Sequence, residues 1–519
     1  MTDIFNSLER RLFNRFRETH GDTKIGFERE SLRINEKKIS AEPHPKELGS
    51  ALCNKFITTD FSEAQLEFVT PPITGGVDAL QFLEDIHHFT TQMIGNEVIW
   101  PLSMPISIES QEDIPIAKYG KSNIGKLKEL YRKGLSYRYG RMMQAISGFH
   151  YNYSVPEAFW NSDFLNEIEG NYLNVDFRSA LYLNQIRNIY RFNWLIIYLF
   201  GASPIVSNSF FNESGIPVEF KKLGNKALYL PNSTSLRMSR YGYQNARRKM
   251  INVSLNSVDQ YVKDLKTATN TINLEFEKLG QQHSEIVQLN NCMLQIDDEY
   301  YAIVRAKSAI ESSLSTTEKI KKSGIDFIEL RSLDLNPFSK IGIDKDTACF
   351  IEVLLGHCFI RQGSLIKIED MKIINENDAL VAENGGDPDL QLLRNGRKTK
   401  LSEWGNILLD ELLPIAEVLD DYSYKYTRAI ESAREKVNDP LKTLSAIYLD
   451  EFTSTGKDFD DYGIDTASSN KEFFLKRERA ENKLWNLLEE QVGESRILEK
   501  EIEDNDTEDF EKFVEEYIN

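Results

Sequence analysis

The chain has 519 residues and a formal net charge of -19, of which residues 499–519, with ten acidic and two basic side chains, supply -8. An acidic body excludes the lysine and arginine surface that non-specific nucleic-acid binding needs to displace counterions, and a 41% hydrophobic fraction excludes wholesale disorder. Length alone fits several domains or one large sheet with helical insertions, and the acidic tail reads as a solvated or frayed helix end.

Ile4, Phe5, Leu8, Leu12, Phe13 and Phe16 recur at helical spacing and predict an N-terminal docking helix, with no uninterrupted apolar run of the signal type. Residues 24–34 and 56–70 read as strands, the second entered through Ile57-Thr58-Thr59 and closed by Pro71-Pro72. Residues 77–98 read as a helix in which His87 and His88 are surface or packing residues, not ligands. Residues 142–154 alternate so that Gln144, Ile146, Gly148, His150 and Asn152 would share one strand face, with a slot at Gly148. Residues 178–202 predict a hydrophobic core helix, 256–281 an amphipathic one, and 325–333 a strand stopped at Asn336-Pro337. Between 361 and 400 the chain turns polar, with Asn384-Gly385-Gly386-Asp387-Pro388 as a turn signal and a basic run from Arg394 to Lys400, and predicts a loop serving as linker or lid. Residues 401–519 read as mainly helical. The apolar stretch 192–206 is broken and too short to span a bilayer, so no membrane segment is expected. Cys53, Cys292, Cys349 and Cys358 have no CxxC spacing and no disulfide framework, which fits reduced thiols in a cytoplasm. Strands alternating with long helices, without Gly-rich crossovers, predict an α+β fold with an antiparallel or mixed sheet.

Three strand segments carry alternating acids. Glu28 and Glu30 share one face of the first; Asp60, Glu63 and Glu67 lie in the second; Glu329 and Arg331 share a face of the third, with Ile328 and Leu330 pointing away. Carboxylates gathered across neighbouring strands of a partly dry cleft repel one another unless divalent cations bridge them, and hard oxygen ligands suit magnesium. Acidic ligands beside isolated arginines meet the electrostatic requirement of phosphoryl transfer. There is no GxxxxGK[ST], no GxGxxG, no HExxH and no GxSxG, which disfavours P-loop, Rossmann, zincin and serine-hydrolase chemistry.

Several longer stretches resemble one family, the glutamate-cysteine ligases of the proteobacterial branch. They are Gly26-Phe-Glu-Arg-Glu-Ser-Leu-Arg33, His44-Pro-Lys-Glu-Leu-Gly-Ser-Ala-Leu52, Ile57-Thr-Thr-Asp-Phe-Ser-Glu63, Glu97-Val-Ile-Trp-Pro-Leu-Ser-Met-Pro105, Arg138-Tyr-Gly-Arg-Met-Met-Gln144, Ser147-Gly-Phe-His-Tyr-Asn152 and Glu329-Leu-Arg-Ser-Leu-Asp-Leu-Asn-Pro-Phe338. The resemblance runs from about residue 5 to 490. It implies a single large ligase domain over 1–519, its curved catalytic sheet, mainly in 20–340, related to that of glutamine synthetase and packed by long helices, with the helical part at 401–519. It implies ATP-dependent joining of the glutamate γ-carboxylate to the cysteine amine through a γ-glutamyl phosphate, the first step of glutathione synthesis, in a cytoplasmic and monomeric enzyme.

Carried over by motif, Glu28, Glu30, Asp60, Glu67, His150 and Glu329 correspond to a shell for several magnesium ions, with manganese as the alternative metal. Gln144, Asn152 and Arg237 correspond to substrate contacts, and Glu329 and Arg331 to the catalytic pair, Arg331 also meeting the transferred phosphoryl group of ATP. Phe61, Tyr131, Leu135, Ile146, Tyr243 and Tyr301 correspond to the cysteine pocket. Two places depart from the family: Arg240 stands where it carries an acidic residue, and Ala302-Ile-Val-Arg305-Ala-Lys307-Ser308 lacks its prolines, so Arg305 and Lys307 receive no role. A ligase of the same fold with another acceptor amine, and a non-catalytic binding protein that kept the fold, are the competing readings.

Overall fold

The computed structural model describes residues 6–160, 164, 174–212, 214–242, 251–283, 286–310, 314–478 and 483–518. Its centre is an antiparallel sheet. The strands are β1 (Lys24–Asn35), β2 (Ile57–Thr59), β3 (Gln65–Val69), β4 (Phe149–Ser154), β5 (Val304–Lys307) and β6 (Phe327–Leu333), in the spatial order β5-β6-β4-β1-β3-β2, with three two-residue strands added to β1. Every pairing is antiparallel, as expected. Because side chains alternate along each strand, Ile25, Phe27, Leu66, Phe68, Phe149, Tyr151, Tyr153, Ile328 and Leu330 all fall on one face and enter the main core.

Helices cover that face. Gly76–Met93, Asn174–Phe200 and Lys345–Ile360 contribute to the same core, and from Thr347 onward the last of these is buried on every side, as expected of a helix that is apolar all round. His87 and His88 are both buried, His87 against Phe68 and Phe474 and His88 against Trp485, so they pack in the core and not on the surface. A second core, containing Leu32, Ile34, Trp100, Met104 and Ile146, lies toward the other end of β1.

Four expectations need correction. Residues 361–400 are not a loop: they form a helix, Ile368–Asn384, and a hairpin, Gln391–Arg394 with Arg397–Lys400. Polarity misleads there because Asn377, Asp378 and Glu383 are buried with partners, Asn193 donating to Asp378 at 2.7 Å. The turn signal at 384–388 holds: the helix ends at Asn384 and turns follow at 385–386 and 388–389, while Asn395-Gly396, both at positive φ, make the tight hairpin turn. The amphipathic stretch 256–281 is two helices, Val258–Asn270 and Leu274–Gln281, since Asn273 caps the second by accepting from Glu275 N at 2.9 Å.

The stretch 142–154 is likewise not one strand. Arg141–Gln144 is a helical turn, and only Phe149–Ser154 is extended, so Gln144 and Ile146 do not share a strand face with His150 and Asn152. Finally, the acidic tail is docked. Helices Lys483–Asn505 and Phe510–Ile518 bring Glu503 to Lys121 N at 2.6 Å and Asp506 to Asn123 Nδ2 at 2.8 Å, at the start of helix Asn123–Tyr139. Carboxylates there satisfy free N–H groups and oppose the positive helix end. Phe510, Phe513 and Val514 pack on Leu127 and Leu130 of the same helix. No helix of the described residues is long and apolar enough to cross a membrane.

Candidate active site

The open face of the sheet gathers the charged residues. Register sets Glu28 opposite His150, Glu30 opposite Glu67, and Glu329 opposite Asn152. His150 then spans three carboxylates: Nδ1 lies 3.2 Å from Glu28 and 3.6 Å from Glu329, and Nε2 lies 3.3 Å from Glu30. Asn152 donates to Glu28 at 2.8 Å, and the backbone N–H of Gly148 donates to Glu30 at 2.7 Å. Glu28, Glu67 and His150 each offer a ligand atom within 4.8 Å of the others. Asp60, just past β2, acts electrostatically on both Glu30 and Glu67.

The two ends of this face differ in charge. Burial pushes the Glu67 carboxyl well up, and repulsion from Glu28, Asp60, Glu30 and Glu329 adds to that. Burial also raises Glu30, against the pull of His150. Burial opposes ionisation of Glu329 too, yet Lys307, Arg331 and Arg305 hold it well below the usual carboxylate range. Glu28 is intermediate: burial and Glu329 raise it, while the hydrogen bond and charge of His150 bring it below its ordinary value. Lys307 Nζ sits 3.1 Å from Glu329, and Arg331 bonds the same carboxylate.

Sequence reasoning gave Lys307 and Arg305 no role, yet both project from β5 onto this face, in register with Phe327 and Glu329. The alternation Val304-Arg305-Ala306-Lys307 is the signal that could have placed them: Val304 and Ala306 are in the core. Arg132 was also missed; its guanidinium donates to the backbone carbonyl of Asp60.

Arg237 is fully buried and occupies the slot expected at Gly148, where a Cβ would overlap its guanidinium. It donates to the Arg331 carbonyl at 2.7 Å and lies 3.7 Å from Asp334. Arg237, Arg331 and Tyr301 line a cavity of about 920 Å³. Phe61, Leu135 and Ile146 are buried in the second core with Tyr131 packed on its edge, so these four belong to one core, whereas Tyr301 stands at the cavity beside Arg331. Gln144 Nε2 and Asn152 Oδ1 are buried with no protein partner, which leaves a donor and an acceptor available to a bound molecule. Tyr243 lies outside the described residues. Arg240, the departure from the family pattern, finds its counter-charge in Glu383, with bonds of 2.8 to 3.2 Å.

The donor set fits a hard divalent cation: carboxylate oxygens and one imidazole converge beside Glu67, which Glu28, Asp60, Glu30 and Glu329 repel.

The family model of glutamate-cysteine ligases matches residues 12–381. A glutamate-cysteine ligase of Alcanivorax borkumensis is 37% identical over 95% of each chain, and one of Pseudoalteromonas translucida 38% identical over 99% of each. The crystal structure of a Francisella tularensis glutamate-cysteine ligase in complex with AMP superposes with a TM-score of 0.88 at 32% identity, covering 96% of this chain and 97% of that one. The chain belongs to the glutamate-cysteine ligase family.

Proposed function

We propose that this protein joins the γ-carboxylate of glutamate to the amine of cysteine with cleavage of ATP to ADP, using the open face of the β1/β3/β4/β6 sheet. The observation that carries the reading is the pairing of acids around His150 with the cations Lys307 and Arg331 on Glu329, in one continuous face. Family membership and the AMP complex of the similar Francisella protein support it.

A carboxylate is a poor electrophile, so a γ-glutamyl phosphate forms first: the terminal phosphoryl group of ATP moves to a γ-carboxylate oxygen and ADP leaves. Glu28, Glu30, Asp60, Glu67, His150 and Glu329 would hold magnesium or manganese, which when bound supplies positive charge for phosphoryl transfer. Arg331 and Lys307 face the same region and offset negative charge on the moving group. Arg237, fixed by the Arg331 carbonyl and Asp334, and the unpartnered Gln144 amide orient the glutamate. The neutral cysteine amine then attacks the acyl carbon, the carbon to phosphate-oxygen bond breaks, and inorganic phosphate leaves with the proton that the amine gives up. Phe61, Tyr131, Leu135 and Ile146 form the acceptor side and exclude water from the acyl phosphate. A cavity of about 920 Å³ beside Arg331 has the size of a small-molecule site and suits the rest of the nucleotide.

The test is purified protein with ATP, magnesium, glutamate and a panel of amines, following ADP release and product mass. Cysteine-dependent ADP release with a product of γ-glutamylcysteine mass is expected. Equal or faster turnover with another amine would transfer the reading to a related carboxylate-amine ligase, and no amine-dependent ADP release would overturn it.

A further inference from the structure

Four arginines, Arg29, Arg33, Arg138 and Arg237, are the largest fully buried cations among the described residues. Three have a carboxylate: Glu97 at 2.6 Å from Arg33, Glu299 at 3.2 Å from Arg138 and Asp334 at 3.7 Å from Arg237. Arg29 has none. It points from β1 to the side opposite Glu28 and Glu30, and its Nη1 donates to His87 Nε2 at 2.8 Å and to the Lys340 carbonyl at 2.9 Å. Both acceptors are neutral, since burial and then the Arg29 charge hold His87 well below its ordinary value. Nε is buried with no partner, and Nη2 has no acceptor among the described residues. A guanidinium in this position retains three N–H donors and a full charge without compensation, a costly arrangement in a protein interior.

A small cavity lies against it. Arg29, His87, Thr91, Lys340, Asn470 and Lys471 contribute to the wall, and the space, about 10 Å³ for the centre of a water-sized sphere, admits one such occupant. The acids nearby are already taken. The Glu97 carboxylate is held by Arg33, and Asp85 by Arg477 at 2.7 Å. Lys471 is anchored through the carbonyls of Gly95 and Glu97, at 2.5 and 2.8 Å, which fixes a second cation at the wall.

We propose that this cavity, between the core face of β1 and helices Gly76–Met93 and Phe459–Lys476, is a binding site for one monatomic anion of halide size. Water would accept hydrogen bonds from Arg29 but leave its charge uncompensated; an anion does both. The space beside Arg29 suits one small anion. Because Arg29 sits between Glu28 and Glu30 in sequence, the anion secures the back of the strand that presents those carboxylates, and it does so whether or not the ligase reading holds.

The experiment is ³⁵Cl line broadening on the full chain at constant ionic strength, displaced by bromide, with crystals grown in bromide for anomalous scattering. A saturable excess linewidth and one anomalous peak within hydrogen-bond distance of Arg29 Nε or Nη2 are expected. Lys471→Met, at a half-buried helix position, should keep the fold and weaken chloride about tenfold, the effect of one lost charge-assisted hydrogen bond. No excess linewidth, an excess unchanged in Lys471→Met, or a site that refines as water without anomalous signal would each overturn the proposal.

Discussion

Two acids on one face should respond oppositely to the same substitution. In metal-free protein Glu67→Gln should stabilise the fold and Glu329→Gln should destabilise it, although both remove one carboxylate charge. Glu329 lies 3.1 Å from Lys307, bonds Arg331 and is 3.6 Å from His150. Removing one partner of such a buried pair costs about 3–5 kcal/mol, because the other charges stay behind. Like-charge repulsion alone would give the opposite sign; the cations around Glu329 reverse it. Repulsion is concentrated at Glu67, which burial and then Glu28, Asp60, Glu30 and Glu329 push well above its ordinary value.

The pH dependence follows in sign. A carboxyl raised in the folded state stabilises least at high pH: as pH climbs from the unfolded value toward the raised one, stability falls by about 1.4 kcal/mol per pH unit. Glu67→Gln removes that slope. Glu329, held well below its ordinary value, contributes stability that is present above the unfolded value and lost as pH falls through the folded one. Urea unfolding with chelator at pH 5 and pH 8 measures the Glu67 slope, the same titration carried down to about pH 3 measures the Glu329 loss, and ADP release with magnesium should fall steeply in each variant. A Glu329→Gln protein as stable as wild type in chelator, or a Glu67→Gln protein less stable at pH 8, would refute the charge map.

Gly148→Ala should abolish glutamate-dependent ADP release, because its Cβ overlaps Arg237, and should cost about 1–3 kcal/mol by overpacking; denaturant unfolding beside the assay checks both. Arg240→Ala should cost about 1 kcal/mol or less in denaturant unfolding, given its half-exposed side chain, and leave turnover unchanged, since its ion-pair partner is Glu383 on helix Ile368–Asn384, outside the charged sheet face. Deleting residues 506–519 should raise KM for cysteine about fivefold, with KM for glutamate and ATP unmoved. It removes the Asp506 cap and the Phe510, Phe513 and Val514 packing from the helix that carries Tyr131 and Leu135, an effect on the order of 1 kcal/mol.

Strand faces were legible because a period of two is written locally: Glu28 with Glu30, and Glu329 with Arg331, share a face in the sheet as in the sequence. What sits opposite what was not, since register between β1 and β4 is set by pairing across more than a hundred residues, and only that pairing puts Glu28 beside His150. Polarity misled wherever polar groups are buried with partners. Asp378 on Asn193 turned a helix into an apparent loop, and Glu503 and Asp506 at the start of Asn123–Tyr139 turned a docked tail into an apparent solvated one. The same cause hid Lys307. A lysine in a short strand reads as surface until Glu329 is found 3.1 Å away, and that neighbour comes from another strand. Charge in this chain acquires its meaning from tertiary counter-charge, so the residues that sequence placed best are those whose apolar neighbours alternate with them on the same strand.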